Sequence, residues 1–297
     1  MPRVEANGLH FHVQRLGDGT TTEHRAPNLP TLPARPTHGP AHHDRPTVVM
    51  LHGLVADNLS SFYYTIANPV GLVADTWLYD LRGHGRSDMP AAGYTVHDHV
   101  EDLRSLLATW GTTGPVHLVG NSFGGVIALA FAHRFPERVA SLVLVEAHFA
   151  TEGWGEHMAG SLALAAFGLD ENGVKEWLDE HGGRKLSRLA RHSEKLLMET
   201  SLIDDLQRER PFTRRALRSI SCPTLAIYGE GSDILDRAHD LQRHVPGCEL
   251  HIVPGAGHSV LFEAAAFVRD RTVAWVRDAA SLTHLPVPRA AAGGGRG

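Results

Sequence analysis

The chain is predicted to be an α/β protein: a mostly parallel sheet flanked by helices, with a helical segment inserted late in the core. Two observations carry this. Short apolar runs of strand length alternate with helical stripes from residue 47 onward, and the alternation stops between Phe149 and Ser219, where only helix-like, amphipathic segments occur. A third observation locates the chemistry. In "VHLVGNSFGGVIALA" (116–130) three glycines crowd one serine between a strand-like and a helix-like segment.

In chain order, a strand-like stretch spans Val4 to Val13. It is followed by a segment at 17–46 rich in proline, threonine and histidine, "GDGTTTEHRAPNLPTLPARPTHGPAHHDRP". That composition offers little to bury and reads as a flexible surface insertion. His42 and His43 adjoin there, yet no carboxylate or cysteine frames them at ligand spacing, so no metal is expected. "TVVML" (47–51) is a buried strand, a helix covers about 59–68, and "ADTWLYD" (74–80) is the next strand. Apolar residues at 96, 100, 103, 106, 107 and 110 form a helical stripe. Val116 to Val119 is the strand before the serine, Val126 to Phe135 the helix after it, and "ASLVLVEA" from Ala140 another buried strand. "PTLAIY" (223–228) and "ELHIV" (249–253) supply two more strands, with helices from Asp236 and from Phe262 to about Ala279. The expected organisation is a core of 1–148 and 220–282, a helical lid at 149–219, and a disordered tail at 283–297. A lid in this place would lie over the carboxyl edge of the sheet, where α/β proteins bind ligands.

Composition narrows the function. The 297 residues are 42% hydrophobic and 21% charged, with a formal charge of −5. No nucleic-acid or membrane partner is implied. No apolar run approaches a membrane span, and the first residues lack the apolar stretch of a signal peptide, so a cytoplasmic protein is expected. Cys222 and Cys248 fit no metal or redox spacing.

Strand, sharp turn and helix around G-x-S-x-G form the setting of a nucleophile elbow, which points to Ser122. A serine hydroxyl needs a base, and the base needs an orienting carboxylate. "YGEGSD" (228–233) ends in Asp233 after one buried strand, and "VPGAGHSVLFE" (253–263) carries His258 after the next. Glu146, closing "SLVLVE", competes with Asp233 as the acid; otherwise it lines the pocket or holds the base of the lid. An oxyanion needs donors, and the backbone N–H groups of Leu54, in "LHGLVADN" (51–58), and of Phe123 are the natural pair. "YDLRGHGRSD" (79–88) brings Asp80, Arg82, His84 and Asp88 together, as reactive groups or as a turn knitted by ion pairs.

Taken together, H-G-x, D-x-R-G-H-G-x-S, G-N-S-F-G-G, a strand-end aspartate and G-x-G-H resemble the α/β-hydrolase fold superfamily of the lidded type, over about residues 4–280. The resemblance implies Ser122 as nucleophile, Asp233 as orienting acid, His258 as base, and Leu54 and Phe123 as oxyanion donors, with no cofactor. It implies hydrolysis of an ester, thioester or related acyl bond of a small molecule, free or presented by a carrier protein. A serine nucleophile argues against haloalkane dehalogenases and epoxide hydrolases, which place aspartate at the elbow. "GNSFGG" also resembles the carbon–carbon bond hydrolases, although "HGLVADN" departs from their glycine-rich, serine-containing turn. Acyl transfer or cyclisation on the same triad, and a slow-turnover ligand receptor, are the other readings. The later part of the lid is basic, with ten Lys or Arg against five Asp or Glu between Arg184 and Arg218. Such a face attracts a negatively charged substrate or carrier, or is simply solvated.

Overall fold

The computed structural model describes residues 3–17, 45–149, 153–170, 183–210 and 212–282. Eight strands form one sheet in the order β1-β2-β4-β3-β5-β6-β7-β8. They are β1 (Arg3–Ala6), β2 (Leu9–Leu16), β3 (Thr47–Leu51), β4 (Asp75–Tyr79), β5 (Val116–Asn121), β6 (Val139–Val145), β7 (Thr224–Gly229) and β8 (Cys248–Val253). From β4 onward every pairing is parallel, whereas β1 and β2 run antiparallel at one edge.

The single strand expected over 4–13 is therefore a hairpin. Asn7 (φ 49°) and Gly8 (φ 73°) make its two-residue turn. Asn-Gly is the pair that tolerates positive φ at both central positions, and this twist suits two antiparallel strands. The strand continues to Leu16, so β2 can pair with β4 from Val13↔Tyr79 to Leu16↔Thr76.

The central strands are apolar on both faces, as a sheet covered twice requires. Val49, Leu51, Leu118, Leu142, Leu144, Ala226 and Tyr228 face one core cluster, while Val48, Met50, Val119, Val143, Val145, Leu225 and Ile227 face the other. Against the second face lie α1 (Ser60–Phe62), a π turn (Tyr63–Ala67) and α2 (Asn68–Gly71). α3 (Val96–Thr109) and α4 (Phe123–Arg134) cover the first face. α3 starts at a capping box: Thr95 Oγ1 accepts from the Asp98 N–H, and the Asp98 carboxylate accepts from the Thr95 N–H.

Between β6 and β7 the described residues form only helices: α5 (Trp154–Asp170), α6 (Gly183–Met198), α7 (Leu202–Gln207) and α8 (Arg214–Arg218). They are tied to the core loops by polar contacts. The Tyr94 N–H donates to Asp205 Oδ2 (2.8 Å), the Val96 N–H to Glu209 Oε2 (3.0 Å) and the Ser201 N–H to the Ala91 carbonyl (2.9 Å). After β7 come α9 (Leu235–His244), α10 (Val260–Glu263) and α11 (Ala265–Leu282); the last two join the second face.

Most of the 17–46 segment, with His42 and His43, and the 283–297 tail lie outside the described residues. What is described is how that segment's ends are held. Arg45 donates to the carbonyls of Gly17 (3.0 Å), Gly71 (2.8 Å) and Ala74 (3.0 Å).

Candidate active site

Three neighbouring strand ends build the site. β5 ends at Asn121 and α4 begins at Phe123, leaving Ser122 alone at the corner with φ 51° and ψ −116°. Its N–H donates to the Val145 carbonyl (2.9 Å), and its own carbonyl accepts from the Gly125 N–H (2.9 Å). A non-glycine residue in this region costs on the order of 1–3 kcal/mol, and the surrounding packing must hold it there. Close approach makes that possible. A Cβ on Gly124 would sit 1.9 Å from the Leu51 carbonyl oxygen and 2.8 Å from that of His52. Glycine thus allows the start of α4 to lie directly on the loop leaving β3. That loop brings Gly53 beside the nucleophile, because a Cβ on Gly53 would lie 3.5 Å from Ser122 Cβ. Leu54 follows at once, and Phe123 opens α4, so the two residues expected as oxyanion donors flank Ser122. The N–H groups of a helix's first turn have no partner within the helix, and the positive end of its dipole favours developing negative charge.

His258 stands on the loop after β8, half-exposed, with Nδ1 3.0 Å from Glu146 Oε2. The same nitrogen is 3.8 Å from Asp233 Oδ1, beyond hydrogen-bond distance. The two carboxylates differ more in setting than in distance. Glu146 is fully buried and Asp233 is 81% exposed. Glu146 also accepts from the Gly229 N–H at Oε1 (2.5 Å) and from Ser232 Oγ at Oε2 (2.6 Å). The turn after β7 was expected to deliver its aspartate to His258; instead it delivers its serine and a backbone N–H to Glu146, and Asp233 points to solvent. Glu146 itself has φ 48°, and the carbonyl of the next residue, Ala147, is fixed by the Tyr228 hydroxyl (2.6 Å). Gly229 lets the His258 loop come this close, since a Cβ there would meet the carbonyl oxygens of Ala256 and Gly257 at 2.4 Å each.

The hydrogen bond from His258 to Glu146 raises the His258 pKa above its ordinary value; burial opposes this, and the charges of Glu146 and Asp233 add to it. His148 packs its ring 5.4 Å from that of His258, and burial drives its pKa down to about 4, so it is a neutral neighbour near pH 7.

The D-x-R-G-H-G segment is a structural knot beneath this site. Asp80 accepts from the N–H groups of Leu59 (2.9 Å) and Arg86 (2.9 Å) and pairs with His12 Nδ1 (2.7 Å). Burial pushes the Asp80 carboxyl up, but the His12 bond, the nearby His52 and the two N–H donors outweigh it and hold the pKa below the usual range. Arg82 forms a buried pair with Asp102, with Nε 2.6 Å and Nη2 2.5 Å from its oxygens. Asp88 pairs outward with Arg3 and His10. Asp57, not singled out from the sequence, closes the Leu54 loop by accepting from the Gly53 N–H (2.7 Å). That bond runs back four residues from Asp57 and is readable only once the turn is known.

Among the described residues no group of three or more His, Cys, Asp or Glu could hold a metal ion, and no helix is long and apolar enough to cross a membrane. Cys222 and Cys248 are free thiols.

The fold has relatives among known proteins. Over 126 residues the chain is 35% identical to an uncharacterized protein of Mycobacterium tuberculosis (strain ATCC 25618 / H37Rv), covering 40% of this chain and 35% of that one. The chain thus spans about a third of the length of the first curated relatives it matches. It is 28% identical over 251 residues to the sn-1-specific diacylglycerol lipase of Mus musculus, covering 72% of this chain and 76% of the relative. A thermophilic esterase from Thermogutta terrifontis superposes with a TM-score of 0.68 at 19% identity, over 94% of this chain and 99% of that one. The family model described as alpha/beta hydrolase fold matches residues 46–265, and the chain belongs to that family.

Proposed function

We propose that the protein is a serine hydrolase that cleaves an ester, thioester or related acyl bond through an acyl-enzyme on Ser122, with His258 as base and Glu146 as the acid that orients it. The observation carrying this reading is the strained elbow at Ser122 set between strand ends that also present a carboxylate-bound imidazole. His258 donates from Nδ1 to Glu146, which leaves the Nε2 lone pair as the proton acceptor. Ser122 Oγ gives its proton to Nε2 as it attacks the acyl carbonyl, and the resulting imidazolium is stabilised by the buried carboxylate. The oxyanion is held by the N–H groups of Leu54 and Phe123. His258 then protonates the leaving group, water attacks the ester on Ser122 with the imidazole again as base, and the acid is released. An esterase in the structural comparison and a lipase in the sequence comparison support the acyl-bond class. The departure of "HGLVADN" from the turn of carbon–carbon hydrolases weighs against that chemistry.

A fluorophosphonate probe tests the assignment. One adduct is expected, at Ser122, and Ser122→Ala should abolish it while leaving the thermal melt unchanged. Multiple-turnover release of p-nitrophenol from short acyl esters is expected as well. Labelling that persists at another serine overturns the nucleophile; a single slow turnover with ligand-induced stabilisation indicates a receptor rather than an enzyme.

A further inference from the structure

We propose that His84 is a positioning residue: it holds the Val55 peptide in a left-handed turn and thereby fixes the Leu54 N–H beside Ser122. This inference rests on the reading of Leu54 as an oxyanion donor.

Val55 has φ 62°. For a β-branched residue this is a genuine outlier, because both branches crowd the backbone there. The other non-glycine residues with positive φ among the described residues are Asn7, in its hairpin turn, and Ser122 and Glu146, both in the site. Left alone, valine relaxes toward the extended region, which would rotate the Leu54–Val55 peptide and, through Leu54, displace the adjoining Gly53–Leu54 peptide that carries the Leu54 N–H. Something must hold it, and the contact is specific. The Val55 N–H donates to His84 Nε2 at 2.8 Å.

The ring is committed to that task. His84 Nδ1 lies 2.8 Å from the Arg82 carbonyl, which can only accept, so the ring proton is on Nδ1 and the Nε2 lone pair faces Val55. The ring is fully buried, and burial with the neighbouring His52 depresses its pKa to about 3, so protonation does not compete for that lone pair near neutral pH. His52 repeats the arrangement 5.2 Å away. Its Nδ1 donates to the Gly53 carbonyl (2.7 Å) and its Nε2 accepts from the Leu81 N–H (2.9 Å). Two imidazoles thus bridge the 53–55 turn to the 81–82 turn. α6 grips the same turns from above: Ser193 Oγ approaches the Val55 carbonyl (3.4 Å), and His192 Nε2 lies 2.9 Å from the Gly83 carbonyl.

The test separates holding the turn from merely filling space. His84→Ala should lower kcat about 10- to 100-fold, at or below the loss of one oxyanion donor, with KM within about threefold. Affinity for an alkyl boronic acid, which forms a tetrahedral adduct on Ser122, should fall by a similar factor. His84→Gln, which keeps an acceptor near the Nε2 position, should recover most of the activity. Adding Val55→Gly to His84→Ala should recover part of it, because glycine adopts positive φ without strain. His84→Leu, similar in bulk but without an acceptor, replaces the alanine variant if that one fails to fold. A folded variant lacking the acceptor with unchanged kcat overturns the proposal, as does a loss that neither Gln nor Val55→Gly relieves. The parent reading is checked separately by Leu54→Pro, or by an α-hydroxy acid at position 54 if the proline variant fails to fold. Each removes the Leu54 N–H and should cost about 10²–10³ in kcat. If that N–H proves dispensable, the oxyanion reading fails; if it is needed and His84 is not, only the present proposal fails.

Discussion

The His258 imidazole has two carboxylates near its Nδ1, Glu146 at 3.0 Å and Asp233 at 3.8 Å, and burial separates them. Asp233 sits at the place in the chain where an orienting carboxylate was expected, but an eight-tenths exposed side chain 3.8 Å away cannot hold an imidazole as a buried one at 3.0 Å can. The difference was not legible, because it depends on which side chain of "GEGSD" turns inward. Ser232 does, and its hydroxyl completes the Glu146 shell. The elbow was legible because strand–turn–helix leaves one geometry for G-x-S-x-G. Glu146→Gln is expected to lower kcat by on the order of 10⁴ with little change in KM, the scale known for loss of an orienting carboxylate. An amide NH₂ facing Nδ1 favours the tautomer with its proton on Nε2, which cannot accept from Ser122. Asp233→Asn should cost less than about tenfold, because an exposed charge is screened by solvent. Steady-state kinetics on the two folded variants decide this, and the reverse ranking returns the acid to Asp233. The His258 pKa gives an independent readout by NMR titration. It lies above the ordinary histidine value with Glu146 present, so the acid limb of kcat/KM is shifted to higher pH, and Glu146→Gln should move the pKa down by more than Asp233→Asn does.

Among elements, the central parallel strands were legible because β3, β5, β6 and β7 are short apolar runs buried on both faces. The edge hairpin was missed although two features mark it, the Asn7–Gly8 pair and the change of phase from Val4 and Ala6 to Leu9, Phe11 and Val13. The segment between β2 and β3 poses a different question, whether anything in it helps the sheet. The segment is crossed at its base by Arg45, whose guanidinium reaches back to Gly17, Gly71 and Ala74. The carbonyl of Gly17 and the side chain of Arg45 thus already meet, and closing a shorter loop costs little, because closure entropy varies only slowly with length. Replacing residues 18–44 by a short Gly-Ser linker, with Gly17 and Arg45 kept, should leave the melting temperature within a few degrees and kcat unchanged. Arg45→Ala in the full chain should be the more destabilising change, since it strips three carbonyls of a charged donor. Insoluble or strongly destabilised linker variants, measured by differential scanning fluorimetry, would show that the segment contributes to the core.

For the whole molecule, the number of histidines is a property of the sequence, but their consequence depends on burial. Of the 21, His84, His99, His117 and His148 are held neutral by desolvation: His84 is pushed down to about 3, His117 and His148 to about 4, and His99 lies well below the ordinary value. His84 spends its ring on Val55, and His117 Nδ1 lies 2.8 Å from Ser141 Oγ on the neighbouring strand. In the unfolded chain each ring binds a proton near pH 6.5, whereas in the folded chain it does not until far lower pH. Below about 6.5 the unfolded state therefore carries more protons, and stability must fall as pH falls. His258 has the opposite sign: its pKa is raised on folding, so its contribution is complete below about 6.5 and fades as pH rises through the folded value. It is half-exposed and cannot offset four buried rings. Asp80, with its depressed pKa, protects the fold only above the ordinary carboxylate range and adds its loss at still lower pH. The melting temperature is thus expected to be flat from pH 8 to about 7 and to drop between 6.5 and 4.5. At pH 5 each fully buried ring costs up to about 2 kcal/mol, from about 1.5 pH units at 1.36 kcal/mol per unit. His117→Asn removes one such proton site while keeping a polar partner for Ser141. Its melting temperature at pH 7.5 should be below that of the parent, but its drop from pH 7.5 to 5 should be smaller by a few degrees. Calorimetry at the two pH values measures both numbers, and equal drops for parent and variant would mean that His117 takes up no proton on unfolding.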